Sequence, residues 1–205
     1  MNWKAVVFAL GIIAVTVSVR VECASCDCLP VSVGLDSSQA DNSGGSLLGE
    51  GIGQTFLAAD TLITSLTVWR VQDEDAVGMH LYFVGVDSTG RPEYDNILLD
   101  GPSLYMLNGH EFTFQFDPPF ALPRPGKYAF FLFTAPCIGL FDILATDHPD
   151  AYPDGEVWAT GRSPCVMNGD LRSYPADFCF RVEFCRDVVT ATKRETWGQL
   201  KTRYR

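Results

Sequence analysis

The chain has few of the residues from which common catalytic motifs are built. It contains three histidines among 205 residues. His110-Glu111 lacks the second histidine four residues on that a zinc-protease helix requires. No Gly-x-Ser-x-Gly sequence, the signature of a hydrolase nucleophile elbow, occurs. The sequence therefore predicts a noncatalytic protein. A carboxylate-dependent glycoside hydrolase is the enzymatic alternative, since paired acids in a β-sandwich come from distant strands.

Basic residues are also scarce over most of the chain. Between Ala24 and Cys185 there are 22 acidic and 7 basic residues, a balance of −15. Such a body repels phosphates, which argues against nucleic acid as a partner. After Cys185 the balance reverses to +4. In the basic tail that begins after Arg186, residues 187–205, the side chains of Trp197, Leu200 and Tyr204 share one helical face. We predict a short tail helix that docks on an acidic partner or envelope surface.

Long apolar runs are absent except at the N-terminus. Lys4 precedes an apolar run from Ala5 to Val19, which Arg20 ends. This pattern is typical of a secretory signal peptide, predicted over residues 1–23. The run is shorter than the roughly 20 residues that a spanning helix needs. We expect a protein that is secreted, extracellular or in the cell envelope, with no membrane contact beyond the signal peptide.

The cysteine count supports export. Removing Cys23 with the signal leaves six cysteines, which an oxidising compartment can pair completely; they are Cys26, Cys28, Cys137, Cys165, Cys179 and Cys185. Cys179 and Cys185 lie on one predicted strand, about 20 Å apart at 3.3 Å per residue, so they cannot pair with each other. Cys26 and Cys28 are too close in sequence to bridge comfortably. We favour a link from one of these two to Cys185, with the other four cysteines sharing the remaining bonds.

Short apolar runs separated by turn residues predict an all-β fold. A Gly/Ser-rich segment makes residues 24–53 a loosely held arm, with regular structure starting at Gln54. The predicted strands are 62–71, 79–86, 103–107, 110–116, 126–134, 156–160 and 177–184. Strands at this spacing favour a two-sheet, antiparallel, jelly-roll-like sandwich over residues 54–186.

Side-chain alternation indicates which faces are buried. Phe178, Phe180, Val182 and Phe184 fall on one face of the last strand, which is therefore predicted to face the core. The run from Tyr128 to Phe133 is apolar on both faces, as expected for a central strand covered on both sides.

Several short motifs resemble the galactose-binding-like, jelly-roll modules of secreted bacterial proteins. They are Gly53-Gln54-Thr55-Phe56, the strand 63–69, Phe116-Asp117-Pro118-Pro119, Pro125-Gly126-Lys127-Tyr128, the loop 152–159 and Cys179-Phe180-Arg181-Val182. The resemblance covers about residues 52–184. It implies an extracellular sandwich, often of unassigned function, which in some members binds carbohydrate or holds a structural calcium. The six cysteines depart from the pattern of that group.

The candidate ligand-binding residues are aromatic and acidic side chains near predicted strand ends. Sugar rings stack on exposed aromatic rings, and the candidates are Tyr152, Trp158 and Tyr174. Calcium prefers carboxylate oxygens, and the densest acidic stretch contains Asp142, Asp147, Asp150 and Asp154. The same residues are typical of ordinary turns. We therefore expect a binding or structural module with weak carbohydrate recognition and no cofactor other than calcium. A calcium-stabilised scaffold that binds protein is the noncatalytic alternative.

Overall fold

The computed structural model describes residues 28–46, 49–71, 78–105, 110–137, 139–148, 151–162 and 165–187. The predicted signal peptide and almost all of the basic tail lie outside these ranges. Within them, no helix is both long and apolar enough to cross a bilayer.

The described residues form thirteen strands and one short 3₁₀ turn. The strands are β1 (Cys28–Leu35), β2 (Asn42–Ser46), β3 (Ile52–Ala58), β4 (Leu62–Trp69), β5 (Gly78–Val86), β6 (Pro92–Tyr105), β7 (Glu111–Ala121), β8 (Gly126–Thr134), β9 (Phe141–Thr146), β10 (Val157–Thr160), β11 (Leu171–Tyr174), β12 (Asp177–Phe178) and β13 (Phe180–Asp187). The turn, Ser37–Gln39, follows β1.

The strands make three antiparallel sheets. The first has the order β1-β13-β4-β7, the second β11-β10-β3-β8-β5-β6, and the third β12-β9-β2. The four-stranded and six-stranded sheets enclose one apolar core, to which β9 of the third sheet also contributes. The predicted all-β sandwich is confirmed.

The predicted core faces are also confirmed. Phe178, Phe180, Val182 and Phe184 are all at most 2% exposed. In β8, Tyr128, Phe130 and Leu132 belong to the core between the sheets. Ala129, Phe131 and Phe133 belong to a second apolar cluster on the outer face of the six-stranded sheet. A central strand with apolar residues on both faces therefore does have both faces covered, as its sequence predicts.

The predicted loose arm is wrong in part, because it contains two strands. β1 pairs along its whole length with β13, and β2 pairs with β9. The small residues of β2 are needed there. A Cβ on Gly44 would lie 2.8 Å from the ring of Phe178, and one on Gly45 would collide with the carboxylate of Asp142. β2 is held by backbone pairing with β9 and most of its residues are exposed. It therefore needs no apolar side chains of its own, and its Gly/Ser composition concealed it.

The cysteine prediction is also wrong in part. Cys137 and Cys165 form a disulfide with a Cα–Cα distance of 5.5 Å, and Cys185 is disulfide-bonded. Cys179, however, is a free and buried thiol. It sits where β12 meets β13, and its N–H donates to the carbonyl of Leu144. Because Cys179 is fully buried, its thiol packs as a small apolar group. The predicted link of Cys26 or Cys28 to Cys185 stays a prediction, since the structure does not describe the side chains of Cys26 and Cys28.

Candidate functional site

An open groove of about 570 Å³ lies between the third sheet and one end of the six-stranded sheet. Its apolar lining comes from β3, β9, β10 and β12, and comprises Ile52, Ala145, Val157, Ala159 and Phe178. Polar side chains at its edge are Ser43, Glu50 and Asp147, and Tyr174 and Pro175 complete the lining. We call this feature the sheet-junction groove. An apolar surface with a few polar groups is the common composition of a small-molecule site.

A second depression of about 440 Å³ continues from this groove. The two share Asp147, Tyr174, Pro175 and Ala176. The second is further lined by the loop around Tyr152 and by Glu156. Tyr174 therefore faces both hollows, and an extended ligand could contact it from either side.

A buried polar pair holds the groove elements together. The amide of Gln54 donates to the carboxylate of Asp177 at 2.8 Å, and the N–H of Phe178 donates to the Gln54 carbonyl at 3.0 Å. The same carboxylate accepts the N–H of Tyr152 at 3.0 Å. Gln54 and Asp177 are 0% and 6% exposed. This pair connects β3, β12 and the 152 loop, and so sets the relative position of the groove walls.

The three aromatic candidates lie in different environments. Tyr174 is 45% exposed at the groove. Tyr152 is 8% exposed; its ring packs edge-on against Phe180, and its hydroxyl accepts the N–H of Leu57. Burial raises the pKa of Tyr152, as do the charges of Asp154 and Asp177, although the Leu57 hydrogen bond opposes them. Trp158 is 9% exposed in the outer apolar cluster. The expectation of three stacking platforms is therefore corrected, because the rings of Tyr152 and Trp158 are packed inside and only Tyr174 offers an open face.

The acidic candidates are not gathered into a metal site within the described residues. There, no group of three or more His, Cys, Asp or Glu side chains could hold a metal ion. Asp142 packs against Gly45, Asp147 accepts a hydrogen bond from Asn42, and Asp154 lies by the 152 loop. Asp150 lies outside the described residues. Calcium binding stays a prediction.

A polar constellation on the other face of the six-stranded sheet was missed by sequence reasoning. His80 on β5 forms hydrogen bonds with Ser103 and Asp100 of β6, at 2.7 Å each. Twenty or more residues separate His80 from its partners, and no fixed motif links them. A hairpin prediction with the correct register would have placed His80 opposite Ser103. The β5–β6 pair contains several register shifts, so simple residue counting from the turn does not give that register.

Comparison with known proteins identifies the fold only. No family model and no curated protein matches the chain. Among solved structures it is similar to a variant of the Clostridial cysteine protease Cwp84 after propeptide cleavage, with a TM-score of 0.53 and 12% identity. The match covers 76% of this chain and 40% of that one. A structure of the cysteine protease and lectin-like domains of Cwp84, a surface layer associated protein of Clostridium difficile, matches with a TM-score of 0.47 and 12% identity, over 71% and 36% of the two chains. The chain thus spans well under half the length of these proteins.

Proposed function

We propose that the protein is an exported binding module that takes carbohydrate in the sheet-junction groove, without catalysis there. The observation that carries the proposal is the groove itself, with its apolar lining, its polar edge and one exposed tyrosine. The galactose-binding-like resemblance of the sequence points to the same ligand class.

The groove residues suit the two kinds of surface that a sugar presents. The C–H face of a pyranose can lie on the ring of Tyr174 and on the apolar lining. Its hydroxyls can donate to the carboxylates of Asp147 and Glu50 and can exchange hydrogen bonds with Ser43. The Asn42 amide orients Asp147, and Arg162 lies 3.3 Å from Glu50. Both carboxylates are therefore held in place before a ligand arrives.

Export is supported by the cysteines. Two of the described cysteines bond to each other, and Cys185 is disulfide-bonded as well. Disulfides persist in oxidising compartments and are rare in the cytosol.

The test is a glycan-array screen followed by titration of the best ligand. Tyr174→Ala should weaken binding about tenfold, since removing a stacked ring costs on the order of 1.5 kcal/mol. Tyr105→Ala is the matched control, because Tyr105 is also an exposed strand tyrosine, at 57% exposure, but lies on β6 away from the groove. A screen without selective binding, or an equal loss in both variants, would contradict the proposal.

Glycoside hydrolysis is the second candidate, because two carboxylates, Glu50 and Asp147, line the same groove. Both already have protein partners, which favours binding over catalysis. If the protein releases reducing sugar from a glycan and Glu50→Gln abolishes that release, hydrolysis would replace binding as the favoured function of the groove.

A further inference from the structure

His80 lies between a hydroxyl and a carboxylate on the outer face of the six-stranded sheet. It is directly opposite Ser103 in the β5–β6 register. Its Nδ1 is 2.7 Å from the Ser103 Oγ, and its Nε2 is 2.7 Å from the Asp100 Oδ1. A nucleophile within hydrogen-bond reach of a base, which a third group orients in turn, is the structural signature of an activated serine.

The two hydrogen-bond partners of His80 determine which of its ring nitrogens carries the proton. An ionised carboxylate can only accept, so Nε2 must carry a hydrogen that it donates to Asp100. In the neutral imidazole, Nδ1 then has a lone pair and accepts the hydroxyl proton of Ser103. This is the tautomer that a general base requires. The two ring nitrogens have exchanged the places they occupy in the familiar serine-protease triad, but the direction of proton movement is the same.

Packing holds the imidazole in this position. The ring of Tyr82 lies edge-on to that of His80 with centroids 4.7 Å apart, and Tyr82 packs in the same way against Phe133 at 5.5 Å. Phe133 is fully buried. Burial, with a smaller contribution from the charge of Asp100, raises the pKa of Tyr82, so its phenol stays neutral beside the site.

Reactants can reach the serine. Ser103 is half-buried on β6, which is the edge strand of its sheet, and the Asp100 side chain is 68% exposed. Among the described residues, β6 pairs only with β5, so alternate backbone N–H groups on its other side have no partner strand there. Such groups can stabilise the negative oxygen of a tetrahedral intermediate.

We propose that Ser103, His80 and Asp100 form an acyl-transfer site that hydrolyses small, neutral esters. The Ser103 Oγ attacks the ester carbonyl carbon while His80 Nδ1 takes the hydroxyl proton. The tetrahedral intermediate collapses, the bond to the alcohol breaks, and His80 returns the proton to the departing alcohol oxygen. Water, deprotonated by His80, then attacks the acyl-serine; the carboxylic acid leaves and Ser103 recovers its proton.

The surroundings select the substrate class. The exposed carboxylate of Asp100 and the acidic body of the chain repel anionic esters. The site is on an open sheet edge rather than in the sheet-junction groove, which suits short acyl groups such as acetyl. The groove is lined by Ile52, Val157 and Ala159, which face the core side of the six-stranded sheet, whereas Tyr82 beside His80 faces the outer side. The two sites are independent.

The first experiment uses the unmodified protein with a fluorophosphonate probe and with p-nitrophenyl acetate. Intact mass and peptide mapping should place the adduct on the peptide that contains Ser103, and nitrophenol release should continue past one equivalent. An adduct elsewhere, or none, would overturn the proposal even if no variant could be purified.

Variants then separate the three roles. Ser103→Ala should remove labelling, and His80→Gln should slow acylation about 100-fold, the low end of what a positioned base contributes. Asp100→Asn should slow it as well, because an amide no longer favours the required tautomer. Ser173→Ala, at an exposed serine of β11, should label like the parent protein, as should Tyr174→Ala in the groove. Parent-level labelling in His80→Gln would show that Ser103 is not activated by the imidazole.

Discussion

The buried Gln54–Asp177 pair should contribute more to stability than any exposed ion pair of the molecule. Replacing Asp177 by alanine leaves at least two buried donors without their acceptor, the Gln54 amide and the N–H of Tyr152. Each such donor costs about 1–3 kcal/mol, so the free energy of unfolding should fall by about 2–6 kcal/mol. That is a large share of the roughly 5–15 kcal/mol available to a typical domain.

The assay is equilibrium unfolding in urea, monitored by tryptophan fluorescence, together with the melting temperature. At about 2–4 °C per kcal/mol for a chain of this size, a loss near 4 kcal/mol lowers the melting temperature by roughly 8–16 °C. Asp177→Asn keeps the shape and one acceptor oxygen, so its loss should be smaller.

Asp170→Ala is the matched control. Asp170 is 63% exposed and pairs with Arg172 at 3.1 Å, a contact worth less than about 1 kcal/mol. If Asp177→Ala costs no more than this control, the buried pair does not hold the groove walls together. The reasoning from burial and hydrogen bonding would then be refuted.

Three further predictions concern the cysteines and calcium. Replacing both Cys137 and Cys165 by serine opens a loop with a sequence separation of 28, which should cost about 3.6 kcal/mol in the chain-entropy treatment; an unchanged urea midpoint would contradict it. Burial, with smaller contributions from Asp36 and Asp41, raises the pKa of the Cys179 thiol from 9.0 to about 11. As the pH rises, the unfolded chain loses the thiol proton before the folded chain does, so the free energy of unfolding should fall between about pH 9 and 11. The native thiol should also resist maleimide at pH 7 until urea unfolds the protein. Prompt labelling of the native protein would contradict the burial of Cys179. The calcium prediction is tested by adding EDTA: if the acidic residues hold a structural calcium, the melting temperature should fall, because a ligand that binds only the folded state stabilises it, whereas an unchanged melting temperature would contradict calcium binding.

Much of the fold was predictable because the order of apolar and polar residues along a strand indicates which of its faces is buried. The alternation in 177–184 and the doubly apolar run in 128–133 follow directly from the two-residue period of a strand. β1 was missed although its sequence carries the same signal, since Val31, Val33 and Leu35 alternate and pack on the core. β2 was not predictable in this way, because backbone pairing with β9 holds it, and its glycines reveal nothing until Phe178 and Asp142 are seen next to them.

The candidate sites depended far more on tertiary structure. Tyr152, Trp158 and Tyr174 are all aromatic residues near predicted strand ends, and the sequence does not distinguish them. Only the ring of Tyr174 is exposed, because the packing of neighbouring loops and sheets decides exposure. Cys179 looks like a disulfide partner until its thiol is seen enclosed where two strands meet.

By itself the sequence determined the all-β class, the faces that form the core, and the acidic surface, since these depend on local periodicity and on composition. Only the tertiary structure decided that Gln54 meets Asp177, that a groove forms where the third sheet joins the second, and that His80 lies between Ser103 and Asp100. Each of these depends on the register between strands distant in sequence. A shift of one residue in that register turns a side chain to the opposite face of its sheet.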